Sequence, residues 1–322
     1  MIAAAIGVLL SPLLGRLILF FAEDRRVSLP VGCLGCEQRD SWFRSLKAGT
    51  CPCGTARPQW PRFLMVWTAL LFAAFAWLYF RLHCQETSDV VPTAFWFKGR
   101  FFYHLFLFTV LTIAIGTDLR NYTIADFLML AGAAVGLGFA TLSGDLQTVH
   151  IWVDWNQEIP GFRGPYRPDW LSDHPHLHGF AWSMTGVIVG AGLTWLLRVT
   201  AQFVLQKPAL GLGDVMLMAM VGSYTGWQPV TLIMLLAPLL AIVIGLVVWM
   251  MTGRAFVAYG PYLALAAIIV LCSWRWIWMT DLRLVFGHAQ SLLTLAGAAA
   301  GTLVVLLVLL RLYQLIPVGN KS

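Results

Sequence analysis

Charge is scarce in this chain. Only 11% of its 322 residues are Asp, Glu, Lys or Arg, whereas a soluble globular protein carries about 25%. The 21 basic and 15 acidic side chains are too few to cover a water-facing surface, which excludes a soluble domain. Strand-like alternation of polar and apolar residues is missing as well, which leaves helices as the elements that cross a membrane. No internal repeat or low-complexity tract is present. Cysteine is limited to six residues, four of them between Cys33 and Cys53, so no disulfide scaffold spans the chain. Collagen-like and disordered compositions are excluded by the apolar surplus.

That surplus is large: 59% of residues are apolar and the mean hydropathy is +0.76. The expected fold class is an all-α polytopic membrane protein, with the lipid bilayer as its solvent. A net charge of +6 would suggest nucleic acid in a soluble protein. In a membrane protein it reflects basic residues gathered at the cytoplasmic helix ends, and no nucleic-acid partner is expected.

Apolar runs predict nine spans, at 2–21, 63–82, 101–117, 124–142, 180–198, 212–226, 229–251, 260–278 and 289–311. The run 212–226 is short and interrupted by glycines. The first run lacks the basic start of a cleaved signal peptide and carries Arg16 within it, so it reads as a retained helix. With the N-terminus outside, Arg25, Arg26, Arg39, Arg44, Lys47, Arg57 and Arg62 all fall inside, as do Arg120, Arg198, Lys207 and Arg254. They outnumber the basic residues left outside, which favours this orientation. The expected organisation is a first helix at 1–21, a cytoplasmic Cys-rich insert at 22–62 and a transmembrane bundle at 63–278. An external loop at 143–179 interrupts the bundle, and a further helix and tail occupy 279–322.

Nearly all acidic residues lie in loops. Asp118, Asp126 and Asp214 instead sit at or just inside helix ends, where an ionisable group is expensive and marks a functional site. The third span runs inward and ends at Asp118; the sixth runs outward and begins at Asp214. Both carboxylates therefore arrive at the same leaflet. Facing carboxylates in a partly dry site share one proton, so one can take a proton from water while the other polarises a peptide carbonyl. The plainer reading makes Asp118 a solvated helix terminus and Asp214 an N-terminal cap. A third makes the pair a proton- or cation-coupling site of a transporter.

Three segments carry a resemblance. Gly211-Leu212-Gly213-Asp214 is a G-x-G-D motif opening a span; Thr117-Asp118 is followed eight residues later by Asp126; and Tyr259-Gly260-Pro261-Tyr262-Leu263-Ala264-Leu265 is similar to an F-G-P-x-L-A-L segment. In this order they resemble the prepilin peptidases (type IV leader peptidases), membrane aspartic proteases that process type IV pilins and type II secretion pseudopilins. The resemblance covers roughly residues 1–278. It implies an aspartic endopeptidase of the bacterial inner membrane that cleaves the basic leader of pilin-like precursors at the cytoplasmic face. Asp118 and Asp214 would be the catalytic pair, with Gly211, Gly213 and Asp126 in support. Three positions depart from the pattern: Met216 stands where the family places Lys, Ala125 where it places Pro, and Ser11-Pro12-Leu13-Leu14 lacks the Asn of the first span. Whether the chain also methylates its product, with S-adenosylmethionine as donor, is left open, as are its oligomeric state and a purely non-catalytic role in pilus or secretion assembly.

Cys33, Cys36, Cys51 and Cys53 form a C-x2-C and C-x-C arrangement, which suits a closed structural Zn²⁺ site stapling a small insert. No metal is required for the peptide chemistry. His174, His176 and His178 crowd the external loop, but Pro175 breaks helical ligand geometry and they read as loop content. Cys84 and Cys272 read as packed small residues. The Trp residues near 152–182 and 274–278 read as an interfacial aromatic belt, and the Met216-Met218-Met220 run as helix packing.

Overall fold

A computed structural model of the chain describes residues 2–22, 60–152, 169–206, 210–252, 258–280 and 282–315. The Cys33, Cys36, Cys51 and Cys53 cluster lies outside the described residues, as does the middle of the 143–179 loop. Among the described residues the chain is an all-α bundle. Its helices are α1 (Ile2–Ala22), α2 (Trp60–Leu82), α3 (Ala94–Asn121), α4 (Asp126–Ser143), the single turn α5 (Asp169–Asp173), α6 (Pro175–Leu205), α7 (Leu212–Thr225), α8 (Trp227–Thr252), α9 (Gly260–Trp278), the short α10 (Leu282–Gly287) and α11 (Ala289–Leu315). Seven of them, α1 to α4, α6, α8 and α9, are long and apolar enough to cross a membrane.

Each expected span coincides with a helix, but the third and fifth are longer than expected, and the helices at the sixth and ninth are not among the seven candidates to cross a membrane. The third was expected at 101–117, with Lys98 and Arg100 outside it. Helix α3 instead begins at Ala94 and takes Arg100 inside, fully buried. The guanidinium is accommodated by donating to the carbonyls of Gln85 at 3.4 Å and Asp145 at 3.1 Å. The span at 212–226 is α7, a helix of only 14 residues, about 21 Å long against about 30 Å of hydrocarbon. Protein rather than lipid surrounds it: Leu217, Met218, Met220, Val221 and Tyr224 are all buried. This is the packing role expected for the methionine run, although Met216 is only partly buried.

Helix α7 packs most extensively on α6 and next on α4. A Cβ on Gly186 of α6 would run into the carbonyl of Gly222 on α7, and one on Gly222 into that of Gly186. Only glycine permits the two backbones to approach so closely. Tyr224 donates to the Gly132 carbonyl on α4 at 3.0 Å. Phe72, Phe75, Phe101 and Phe108 join α2 to α3 in the same core.

One end of the bundle is tied by hydrogen bonds between loops and helix ends. Residues 146–150, expected to be part of a solvated loop, are buried. Trp274 donates to the Thr148 carbonyl at 3.1 Å, Trp227 to that of Ile151 at 2.7 Å, and Gln228 to that of His150 at 2.8 Å. Trp278 donates to the Asp89 carboxylate at 2.8 Å. The aromatic-belt reading fails for Trp182, Trp274 and Trp278, which are buried side chains. For Trp274 and Trp278, an indole N–H secures a buried partner better than a headgroup would. The histidines also turn to local partners: His178 accepts from the Ile151 N–H and His176 meets the Thr141 carbonyl. Among the described residues no group of three His, Cys, Asp or Glu is placed to hold a metal. Cys84 and Cys272 are free thiols. Burial, reinforced by the neighbouring Cys272, pushes the Cys84 thiol up to about 12, which makes it an inert packing residue.

Candidate active site

The opposite end of the bundle holds a cleft of about 400 Å³. Its walls come from three places in the chain: the α3–α4 turn with Asp118, Tyr122, Ile124 and Asp126; the start of α7 with Gly211, Gly213 and Asp214; and the entry to α9 with Ala258 and Tyr259. The acids singled out in the sequence are thus brought to one cavity by elements far apart in the chain. Asp118 is 6% exposed and Asp214 7%, so each carboxylate reaches the cavity from an otherwise buried position. Asp126 opens α4 at the rim and is exposed.

Local sequence explains each position. Helix α3 stops at Asn121 because Tyr122 adopts a left-handed conformation (φ 54°), and its N–H closes on the Asp118 carbonyl at 2.9 Å. This turn fixes Asp118 one helical turn from the end. The Asn121 side chain donates to the Ala22 carbonyl, which brings the end of α1 to the same end of the bundle. Asp214 sits at the third position of α7, and its Oδ2 accepts from the Gly211 N–H at 3.1 Å. The capping role weighed from the sequence is therefore real, and the residue lines the cleft as well. A carboxylate in the first turn also meets the positive end of the helix dipole. Arg198 on α6 acts electrostatically on Asp214, and Asp118 and Asp214 act on one another.

The glycines divide by geometry. A Cβ on Gly213 would lie 2.8 Å from Cβ of Ile124, so glycine lets α7 meet the α3–α4 turn. Gly211 has φ −78° and a Cβ there would be 3.7 Å from Asp214 Oδ2, so neither backbone nor packing demands glycine. Sequence reasoning missed a third close approach. The Gly260 backbone lies against the Asp118 carboxylate, and a Cβ at this position would lie 2.5 Å from Asp118 Oδ2. The Tyr259-Gly260-Pro261 segment was visible as a motif, but what it touches is not readable from one strand of sequence. Tyr259 and Ile124 were missed for the same reason.

A multi-helix membrane bundle with two buried aspartates on one cleft has the form of an intramembrane acid site. Comparison with known proteins makes this more specific. Residues 172–250 match the Type IV leader peptidase family, a stretch that includes Gly211, Gly213 and Asp214. The chain is 35% identical over 94 residues to the prepilin leader peptidase/N-methyltransferase of Escherichia coli (strain K12), covering 29% of this chain and 42% of that protein. It is 30% identical over 92 residues to the enzyme of the same name from Pseudomonas aeruginosa, covering 28% and 32%. It is also 34% identical over 89 residues to the type 4 prepilin-like proteins leader peptide-processing enzyme of Escherichia coli O78:H11, again 28% and 32%. The resemblance is therefore borne out around the G-x-G-D motif, while the family match reaches neither Asp118 nor the Tyr259–Leu265 segment, and the matches span less than half the length of these relatives. No solved structure matches.

Proposed function

We propose that this chain is a membrane aspartic endopeptidase that removes the basic leader from pilin-like or pseudopilin precursors, with Asp118 and Asp214 as its catalytic pair. The observation that supports this most is the convergence of these two buried carboxylates, from different helices, on one cleft. One carboxylate takes a proton from water, and the resulting hydroxide oxygen bonds to the scissile carbonyl carbon. The other, protonated, donates to the carbonyl oxygen. Collapse of the tetrahedral intermediate re-forms the C=O bond, breaks the C–N bond and passes a proton to the leaving amine. Helix packing around α7 holds the two acids before substrate arrives, so little reorganisation accompanies the reaction.

The charge bias supports a cleft at the cytoplasmic face of a bacterial inner membrane, where a precursor's basic leader would also stay. The insert at 22–62 is a structural zinc site in this reading and takes no part in the chemistry, because four thiolates leave no open coordination position. Asp126, exposed at the rim, serves the turn rather than the reaction.

Purified protein in detergent, with no gradient, should cut a pilin-like precursor at the junction of leader and apolar segment. Asp118→Asn and Asp214→Asn should each abolish the cut with unchanged membrane abundance, while Asp126→Asn retains most activity. Cleavage that survives either of the first two changes refutes the paired-acid mechanism. Gradient-dependent flux without any cut peptide would support transport instead.

A further inference from the structure

The cleft contains a polar group that the scheme above does not use. Tyr259 lines the cavity at the entry to α9. Its ring is partly exposed, yet its hydroxyl oxygen is shielded from solvent and has no hydrogen-bond partner among the described residues. The hydroxyl lies within electrostatic reach of Asp214, whose Oδ2 is engaged by the Gly211 N–H. A buried hydroxyl without a partner is destabilising, and folded proteins keep few of them. The wall itself does not need the oxygen. Phenylalanine would fill the same volume, and it is the residue in the F-G-P-x-L-A-L segment that this stretch resembles. The other buried tyrosine hydroxyls of the core, on Tyr79, Tyr103 and Tyr224, each reach a carbonyl. Among the described residues Tyr259 is the exception, and its side chain belongs to the cleft wall.

We infer that the Tyr259 hydroxyl is a catalytic hydrogen-bond donor, held unpaired until a peptide substrate brings its scissile carbonyl oxygen into the cleft. This rests on the endopeptidase reading. As the water oxygen bonds to the carbonyl carbon, the C=O electron pair moves onto oxygen. The protonated aspartate and the Tyr259 O–H then hold that oxygen together. The phenol donates a hydrogen bond and keeps its proton throughout, so no acid or base is consumed by its part in the step. When the intermediate collapses, the electron pair returns to the C=O bond, the C–N bond breaks, the leaving amine takes the proton that the first aspartate had accepted from water, and the Tyr259 hydrogen bond is given up. A donor aimed at an oxygen where charge develops acts on the transition state more than on the bound substrate.

The test is Tyr259→Phe in the full-length protein, using precursor peptides that the wild type cleaves. With an oxyanion donor removed, kcat should fall about 100-fold, with KM changed by less than about twofold. Thermal stability should be equal to or above that of the wild type, since no internal bond is lost. Unchanged kcat, or a raised KM with intact kcat, overturns the inference. If the Phe variant does not fold, a fluorinated tyrosine at position 259 preserves the shape and strengthens the donor. It should alter kcat but not KM, and an unaltered kcat is fatal to the idea. Should the wild type cleave no precursor at all, the endopeptidase reading fails and takes this inference with it. Wild-type cleavage matched by the Phe variant would remove the Tyr259 role alone.

Discussion

A methyl group on Gly260 would sit 2.5 Å from Oδ2 of Asp118 and 3.0 Å from Cδ1 of Ile124. The contact is with the carboxylate that the proposed reaction needs, so the two groups could coexist only if Asp118 turned away from the cleft. Gly260→Ala should therefore reduce cleavage about 100-fold, since small misplacement of a catalytic group is that expensive. Gly211→Ala, with a 3.7 Å approach to Asp214 Oδ2, should retain activity and fold. Rates of precursor cleavage together with detergent melting curves separate the two. Equal rates for both variants would show that Gly260 does not set the position of Asp118. At this scale the sequence was informative where a residue type is out of place. An acid beside an apolar run stands out on its own, which is why Asp118 and Asp214 could be named. Gly260 and Tyr259 belong among apolar and small residues, and only the folded chain shows which carboxylate they face.

Among the elements, helix existence was legible and helix extent was not. Apolar length predicts a span, but a charge near its edge is read as a flank. Arg100 breaks that inference because two backbone carbonyls, of Gln85 and Asp145, accept from its guanidinium inside the protein. Arg100→Met should leave those acceptors without their donor and lower stability by about 2 kcal/mol. Detergent denaturation would reveal this, with the protein that remains folded still cleaving at the wild-type rate. An unchanged melting point would mean that these bonds contribute nothing net. The short helix α7 illustrates the converse. Its 14 residues cannot cross a bilayer alone, and its place as the innermost helix depends on neighbours that no local pattern announces. The tryptophans near 274–278 were misassigned to the membrane interface because composition does not distinguish an indole facing headgroups from one facing a buried carbonyl.

For the whole molecule, the alternation of helix directions places the α1, α3, α6 and α8 C-termini and the α2, α4, α7 and α9 N-termini at one end. That convergence was anticipated from spans and charges before any contact was known, because topology needs only the order of helices. Cysteines introduced at Gln206, on the cleft side, and at Thr280, on the other, would test the orientation after replacement of the native thiols. Position 280 should react with an impermeant thiol reagent once the outer barrier is opened, and position 206 only after the inner membrane is broken. The reverse pattern would put the acids outside and remove the reason to expect a basic leader as substrate.

The hydrogen bonds at the far end have a consequence for the membrane itself. A cavity that admits water from one side thins the insulation between two compartments, and a bacterial membrane depends on that insulation to hold its proton-motive force. Here Trp274, Trp278 and Gln228 are committed to Thr148, Asp89 and His150, and the buried stretch 146–150 fills the space between the helix ends. Opening a path through this side would break those bonds together, in a region with little water to replace them. On the proposed reading the tied end would work as a stopper, letting water be used at one face without becoming a current through the other.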